Sequence, residues 1–443
     1  MFSTLFQDSP EYERRKLTPF VPPQVTWPEL SAAVPRRLFH RNTIKGLSYV
    51  VRDVVLAYIL YKLAWQFSPF VASLNTQFDM PPAVTTLVNM ALWSCYWFSQ
   101  GIVLTSWWCL AHEASHGTLS SHRWINDSVG FLLHTFLFVP YFAWKSSHHS
   151  HHQATVSVER DENYVPPTRS EFNLPAQDLA HIGDYREALE ESPIYTFIRI
   201  IAMQVLGLHA YLMFNCKGSS RYPPGTNHFH PSSPLFKPQE RNGIITSDIA
   251  LSIMCSIVYF WTKRFGLGSF IRLYMIPFMF VNHWIVMLTY LQHTDPTVPY
   301  YRKKEWTFIR GAISTVDRPL LGWIGQVFFH NVSHNHVGAL LESINSILCV
   351  FPLLNSALDP DPASDNQPEV TECIKKVLKD NYNYDSTVRI PLATTVIDNT
   401  QVFFQNTFRA LYRSFVECEF IEDDGDIVFY KNRQGRAARH LAK

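Results

Sequence analysis

Histidine is the residue type whose arrangement here can do chemistry. Nineteen occur among 443 residues, and three groups stand out. His112-Glu113-Ala114-Ser115-His116 is an HxxxH pattern; on a helix i and i+4 lie one turn apart on one face, so both imidazoles reach one metal. His148-His149-Ser150-His151-His152 contains HxxHH, which places His148, His151 and His152 on one face and turns His149 away. The third group is His330-Asn331-Val332-Ser333-His334-Asn335-His336, and a separate His293 closes an apolar run. A single HxxxH is common, and residues 112–116 also fit the HExxH pattern of zinc proteases, in which the Glu is the base. Zinc needs three or four ligands, whereas seven or more imidazoles suit a pair of metals. Imidazole serves Fe, Cu and Zn alike, so spacing alone does not name the metal.

The elements that must carry these groups are apolar. Met80 to His112 contains no Asp, Glu, Lys or Arg, and Leu273 to Thr294 is a second uncharged run. Each is long enough to cross a bilayer, and Trp and Tyr stand near their ends. Leu47 to Phe67 is apolar apart from Arg52, Asp53 and Lys62, expected near an end or snorkelling. Four spans are expected, near 47–68, 82–108, 245–263 and 267–290; segments 128–144 and 194–215 either span or lie in the interface. The fold class is therefore all-α: a polytopic membrane helical bundle with a helical cap that carries the histidines. Composition agrees, with 47% hydrophobic, 14% aromatic and only 17% charged residues. A disordered chain is excluded, and a net charge of +1 offers no field for nucleic acid. Seven cysteines without a CxxC pair argue against a disulfide framework or a zinc ribbon. Residues 1–46 read as a soluble arm, with charged residues where a signal peptide would be apolar.

In sequence the chain resembles the membrane fatty acid desaturases, in particular the acyl-lipid Delta-12 (oleate) branch of plants and fungi. Ala111-His112-Glu113 opens the first box. Val139-Pro140-Tyr141-Phe142-Ala143-Trp144-Lys145 leads to the second, and Glu159-Arg160-Asp161-Glu162 follows it. Phe229-His230-Pro231, Thr289-Tyr290-Leu291-Gln292-His293-Thr294, Glu305-Trp306, Arg310-Gly311-Ala312 and Thr315-Val316-Asp317-Arg318 extend the likeness over roughly residues 18–337. The resemblance implies a di-iron oxidase of the endoplasmic reticulum, its boxes and both termini cytosolic, that places a double bond in a fatty acyl lipid using O2. Two Fe ions would be held by His112, His116, His148, His151, His152, His293 and His336. Iron suits the demand, because no amino-acid side chain attacks an unactivated methylene; a metal must supply the oxidant. Glu113, Asp161 and Glu162 are expected to orient imidazoles. The chain carries no nucleotide, flavin or fused-haem signature, so the resemblance implies cytochrome b5 and its NADH-dependent reductase as electron donors. Arg123, Lys145 and Arg318 are candidate contacts for an acidic donor.

One departure bears on activity. The third box of the family reads HVxHH, but here His336-Val337-Gly338 is followed by Ala339 and Leu340. Residues 338–366 replace the family's connection. The likeness resumes in the tail 367–443 and breaks again over 388–406. Both foreign stretches adjoin a Val, whose codons begin with GT as introns do, so one reading is translated non-coding sequence. The other is a divergent member, either one that hydroxylates, epoxidises or forms a triple bond, or a non-catalytic relic.

Overall fold

The computed structural model describes residues 8–330, 332, 366–385 and 396–442, with only the backbone of 396–406. Two short helices open it, α1 (Pro10–Leu17) and α2 (Trp27–Ala33). Ser9 caps α1 by accepting from the Tyr12 N–H at 3.1 Å, and Thr26 and Glu29 form a capping box on α2. Then come α3 (Thr43–Trp65), α4 (Phe67–Phe78) and α5 (Pro82–His116), the longest at 35 residues. Next are α6 (Arg123–Phe136), α7 (Tyr141–His152), α8 (Ile182–Leu189), α9 (Pro193–Phe214) and α10 (Arg241–Phe265). A π-helical turn, Ile271–Met275, links α11 (Leu267–Phe270) to α12 (Ile276–His293). The rest of the cap holds α13 (Phe308–Ile313), α14 (Trp323–Phe328), α15 (Gln367–Leu378) and α16 (Val396–Glu417).

Among the described residues, three helical stretches are long and apolar enough to cross a membrane: Pro193–Phe214, Pro238–Phe265 and Leu267–His293. The pair α3–α4, bent by 40°, makes a fourth if it counts as one span. Segment 194–215 thus qualifies by length and composition, whereas 128–144 is divided between α6 and α7. Residues 82–108 lie within α5, which is uncharged there but reaches a lower mean hydropathy because Trp, Ser, Thr, Asn and Gln occupy much of it. At 1.5 Å per residue α5 runs about 52 Å, well beyond a bilayer core of about 30 Å. A helix of that length extends past the apolar layer, and its last turns are buried in protein from Gln100 to Ser115, apart from the partly exposed Trp107.

The main core joins α5, α9 and α12 through Leu104, Trp108, Leu208, Trp284, Ile285 and Leu288. The α5–α12 crossing is close because of Gly101: a Cβ there would lie 2.5 Å from Phe280 Cβ. Gly117, at φ +78°, ends α5 in the left-handed region that glycine adopts at no steric cost. The arm is packed rather than loose. Leu30, Val34 and Leu38 are buried against Val370, Ile374 and Leu378 of α15.

A two-stranded antiparallel ribbon, β1 (Pro299–Tyr301) with β2 (Ile427–Phe429), pairs Tyr300 with Val428 and ties the tail to the loop after α12. Beside it Arg15, Arg318 and Arg413 converge on Asp295 and Asp385, all five buried. Asp53 departs from the sequence expectation. It is fully buried rather than terminal or snorkelled, and its carboxylate accepts from Arg52, Ser106 and His330.

Candidate metal centre

The histidines sit where three helices end. His112 and His116 occupy the last turns of α5, His148 to His152 the last turns of α7, and His293 is the final residue of α12. The ligand nitrogens of His112, His116, His148 and His152 all lie within 4.8 Å of one another. Nε2 of His148 is 3.0 Å from that of His116 and 3.1 Å from that of His152. Two nitrogens sharing one metal at about 2.1 Å stand roughly 3 to 4 Å apart, so this donor set fits a single ion. Burial, joined by the imidazoles of His112 and His116, holds the His148 pKa well below its ordinary value. That ring is neutral at pH 7 and presents a lone pair.

His151 turns elsewhere. Its Nε2 faces Nε2 of His293 at 3.4 Å, and its ring centroid is 6.4 Å from that of His148. The HxxHH helix is therefore split: His148 and His152 join the α5 pair, and His151 joins α12. The two groups adjoin, as a pair of metals requires. His149 donates through Nε2 to the Ser115 carbonyl at 3.0 Å and pins α7 to α5. His336 lies outside the described residues, as do His334, Ala339 and Leu340. His330 is engaged away from the other imidazoles, with Nε2 2.8 Å from Ser106 Oγ.

Two carboxylates fix two of the rings. Asp161 Oδ1 accepts from His151 Nδ1 at 2.5 Å and Asp161 Oδ2 from the Val156 N–H at 2.7 Å. Glu113 Oε1 accepts from His112 Nδ1 at 3.3 Å, and Glu113 Oε2 accepts from Thr118 and Gln367. In both rings the proton then sits on Nδ1, which leaves Nε2 bare for a metal. Glu113 is wholly buried and committed to these donors, which removes it as the free base that a zinc-protease reading needs. Glu162 takes Arg221 and Tyr222 instead, and touches no imidazole among the described residues.

Aromatic rings complete the centre, and the sequence reading missed them. Trp108 stacks on His112 at 5.5 Å, Trp144 on His148 at 4.3 Å, and Tyr164 on His293 at 5.1 Å. The two Trp–His pairs are spaced i, i+4, a signal available in the sequence. Of the expected donor contacts, Arg123 is exposed, Lys145 pairs with Asp127 at 2.6 Å, and Arg318 is buried in the aspartate cluster.

A cavity of about 430 Å³ opens beside the imidazoles. His112, His148, His151 and His293 share its wall with the apolar face of α9, including Met203 and Gly207. The volume is within the range of small-molecule sites, about 300–1,000 Å³. A helical membrane bundle whose helices end in a buried nest of imidazoles able to hold metal, against an apolar cavity, defines a membrane protein built for metal chemistry on a lipid-like molecule.

The chain belongs to the fatty acid desaturase family: the family model described as "Fatty acid desaturase" matches residues 87–337. It is 34% identical over 414 residues to a Delta(12) fatty acid desaturase of Mortierella isabellina, covering 92% of this chain and 91% of that one. It is 33% identical over 429 residues to an endoplasmic-reticulum omega-6 fatty acid desaturase of Brassica juncea, with 96% of each chain covered. An oleate hydroxylase of Claviceps purpurea is 31% identical over 440 residues, covering 94% of this chain and 82% of that one. The family match ends at Val337, next to the stretch where the sequence departs from the HVxHH box.

Proposed function

We propose that this protein is an acyl-lipid Delta-12 desaturase that converts an oleoyl chain to a linoleoyl chain at the endoplasmic reticulum. The observation that carries the reading is the apolar cavity whose wall includes four of the clustered imidazoles. The Delta-12 names of the relatives support the regiochemistry, and one relative's name supports the reticulum.

His112, His116, His148 and His152 would hold one iron, and His151 and His293, with His336, the second. When bound, the irons supply the oxidising power of O2 that an unactivated methylene pair demands. The balance is plain. Two hydrogens leave adjacent carbons, two electrons and two protons come from outside, and O2 leaves as two waters. Cytochrome b5 and its reductase are the proposed donors. The chain's own residues supply position and exclusion: Glu113 and Asp161 hold imidazoles in one tautomer, and Met203, Ile285 and Val286 line a dry wall.

The kinship to an oleate hydroxylase supports a second reading, hydroxylation at the same site. The fatty-acid profile of yeast expressing the coding sequence decides. New linoleate establishes Delta-12 desaturation, a hydroxy acid establishes the alternative, and neither product, from a chain whose third box has been restored to HVxHH, rejects both. We further propose that 338–366 and 388–406 are translated non-coding sequence interrupting the desaturase domain (47–337) and its tail (367–443). A mature transcript that encodes 338–366 as written overturns this.

A further inference from the structure

The cavity is open at one end and closed at the other, and the two ends differ in chemistry. Trp108, Trp144 and His293 are buried, whereas Leu206 is 57% exposed and Cys216 and Lys217 are exposed. The opening therefore lies along α9 and the turn that follows it. α9 has two apolar sides: Met203 and Gly207 face the cavity, while Phe197, Ile198 and Ile201 are exposed. An exposed apolar side of that kind suits contact with lipid acyl chains.

The rim carries charge. Arg199 and Lys217 line the cavity, and each lies within electrostatic reach of the other. Arg199 is already committed: its guanidinium pairs with Glu191 and lies 5.0 Å from the centre of the Phe415 ring. Glu419, a carboxylate whose charge acts on Lys217, is taken up by Arg433 at 2.7 Å. The Lys217 side chain makes no hydrogen bond or ion pair among the described residues. A cation held at the mouth of an apolar cavity recognises an amphiphile whose polar end is anionic.

We propose that Lys217 seats a phosphate-bearing head group at this rim, with the acyl chain running inward past α9 to the imidazoles. The inference rests on the acyl-lipid reading above and names the residue that selects the carrier. A lysine that only answers the carbonyl dipoles ending α9, or only snorkels toward bulk lipid, would not discriminate among carriers.

The test measures equilibrium binding of radiolabelled lipids to the full-length protein in neutral detergent, for wild type, Lys217→Met and Lys217→Arg. Lys217→Met should weaken binding of dioleoylphosphatidylcholine about tenfold, the scale of one lost charge-assisted contact. Binding of dioleoylglycerol should be unchanged, and Lys217→Arg should restore the phospholipid. Selective weakening for oleoyl-CoA alone also supports the seat and identifies the thioester's phosphates as its occupant. Equal weakening for dioleoylglycerol, or no weakening of any donor, overturns it. Wild type gives an independent reading: added salt should weaken phospholipid binding and spare dioleoylglycerol, and equal responses overturn the proposal. Because binding needs no turnover, a selective change without linoleate in yeast, even from a chain whose third box is restored to HVxHH, would leave the seat standing and reject the desaturase reading.

Discussion

Nδ1 of His151 lies 2.5 Å from Oδ1 of Asp161, while the opposite nitrogen of the same ring faces His293 Nε2 at 3.4 Å. One carboxylate therefore decides which nitrogen of His151 is bare, and so whether α7 and α12 share a metal.

Asp161→Asn places an amide where the acceptor stood and removes the bias toward the Nδ1–H tautomer. Metal affinity should fall about 10- to 100-fold, read as iron retained per chain after dialysis, with helical circular dichroism unchanged. Glu162→Gln should retain wild-type iron, because Glu162 faces Arg221 and Tyr222. Equal losses in both variants would reject the role given to Asp161.

The arginine–aspartate cluster makes stability depend on pH. Burial raises the Asp385 pKa, but Arg318 and Arg15 outweigh it and hold the carboxyl below its ordinary value. With the folded pKa below the unfolded one, the stabilisation is complete above the unfolded value of about 4 and fades as pH falls through the folded one. The melting temperature of detergent-solubilised protein should drop steeply below about pH 4. In Asp385→Asn that acid slope should flatten while stability at pH 7 falls, by up to about 3–5 kcal/mol, because the buried arginines lose a counter-charge.

Gly101 sets the spacing of two histidine-bearing helices. Gly101→Val adds a branched side chain where even a Cβ would lie 2.5 Å from Phe280 Cβ. Overpacking of this kind costs about 1–3 kcal/mol, and it should also move His112 relative to His293. A lowered melting temperature together with reduced iron content is the expected result.

The third box offers a gain-of-function check. Replacing 338–366 with the family's connection, so that the box reads HVxHH, should raise iron per chain and linoleate in yeast together. The chain as written should yield little linoleate, since a missing ligand leaves one metal exchangeable. Normal linoleate from the unaltered chain would mean that the third box is not needed as assigned.

Much of the centre was legible because it is local. His112 with His116, and His148 with His152, meet across one helical turn whatever surrounds them, and an uncharged run such as 80–112 can hardly be anything but buried or membranous. What crosses between helices was not legible. Spacing put His151 on the same face as His148 and His152, yet the angle between α7 and α12 gives it to His293. Asp161 and Glu162 are neighbours in sequence, and backbone direction sends one to an imidazole and the other to Arg221. Arg318 reads as a surface cation and Asp53 as a carboxylate near a span end or snorkelling, but each is buried against partners 67 and 277 positions away, Asp385 and His330. A side chain's turn-to-turn neighbours follow from helix period alone. Its partners on other helices depend on crossing angles that the summed packing of α5, α7, α9 and α12 sets, and only the tertiary structure fixes those.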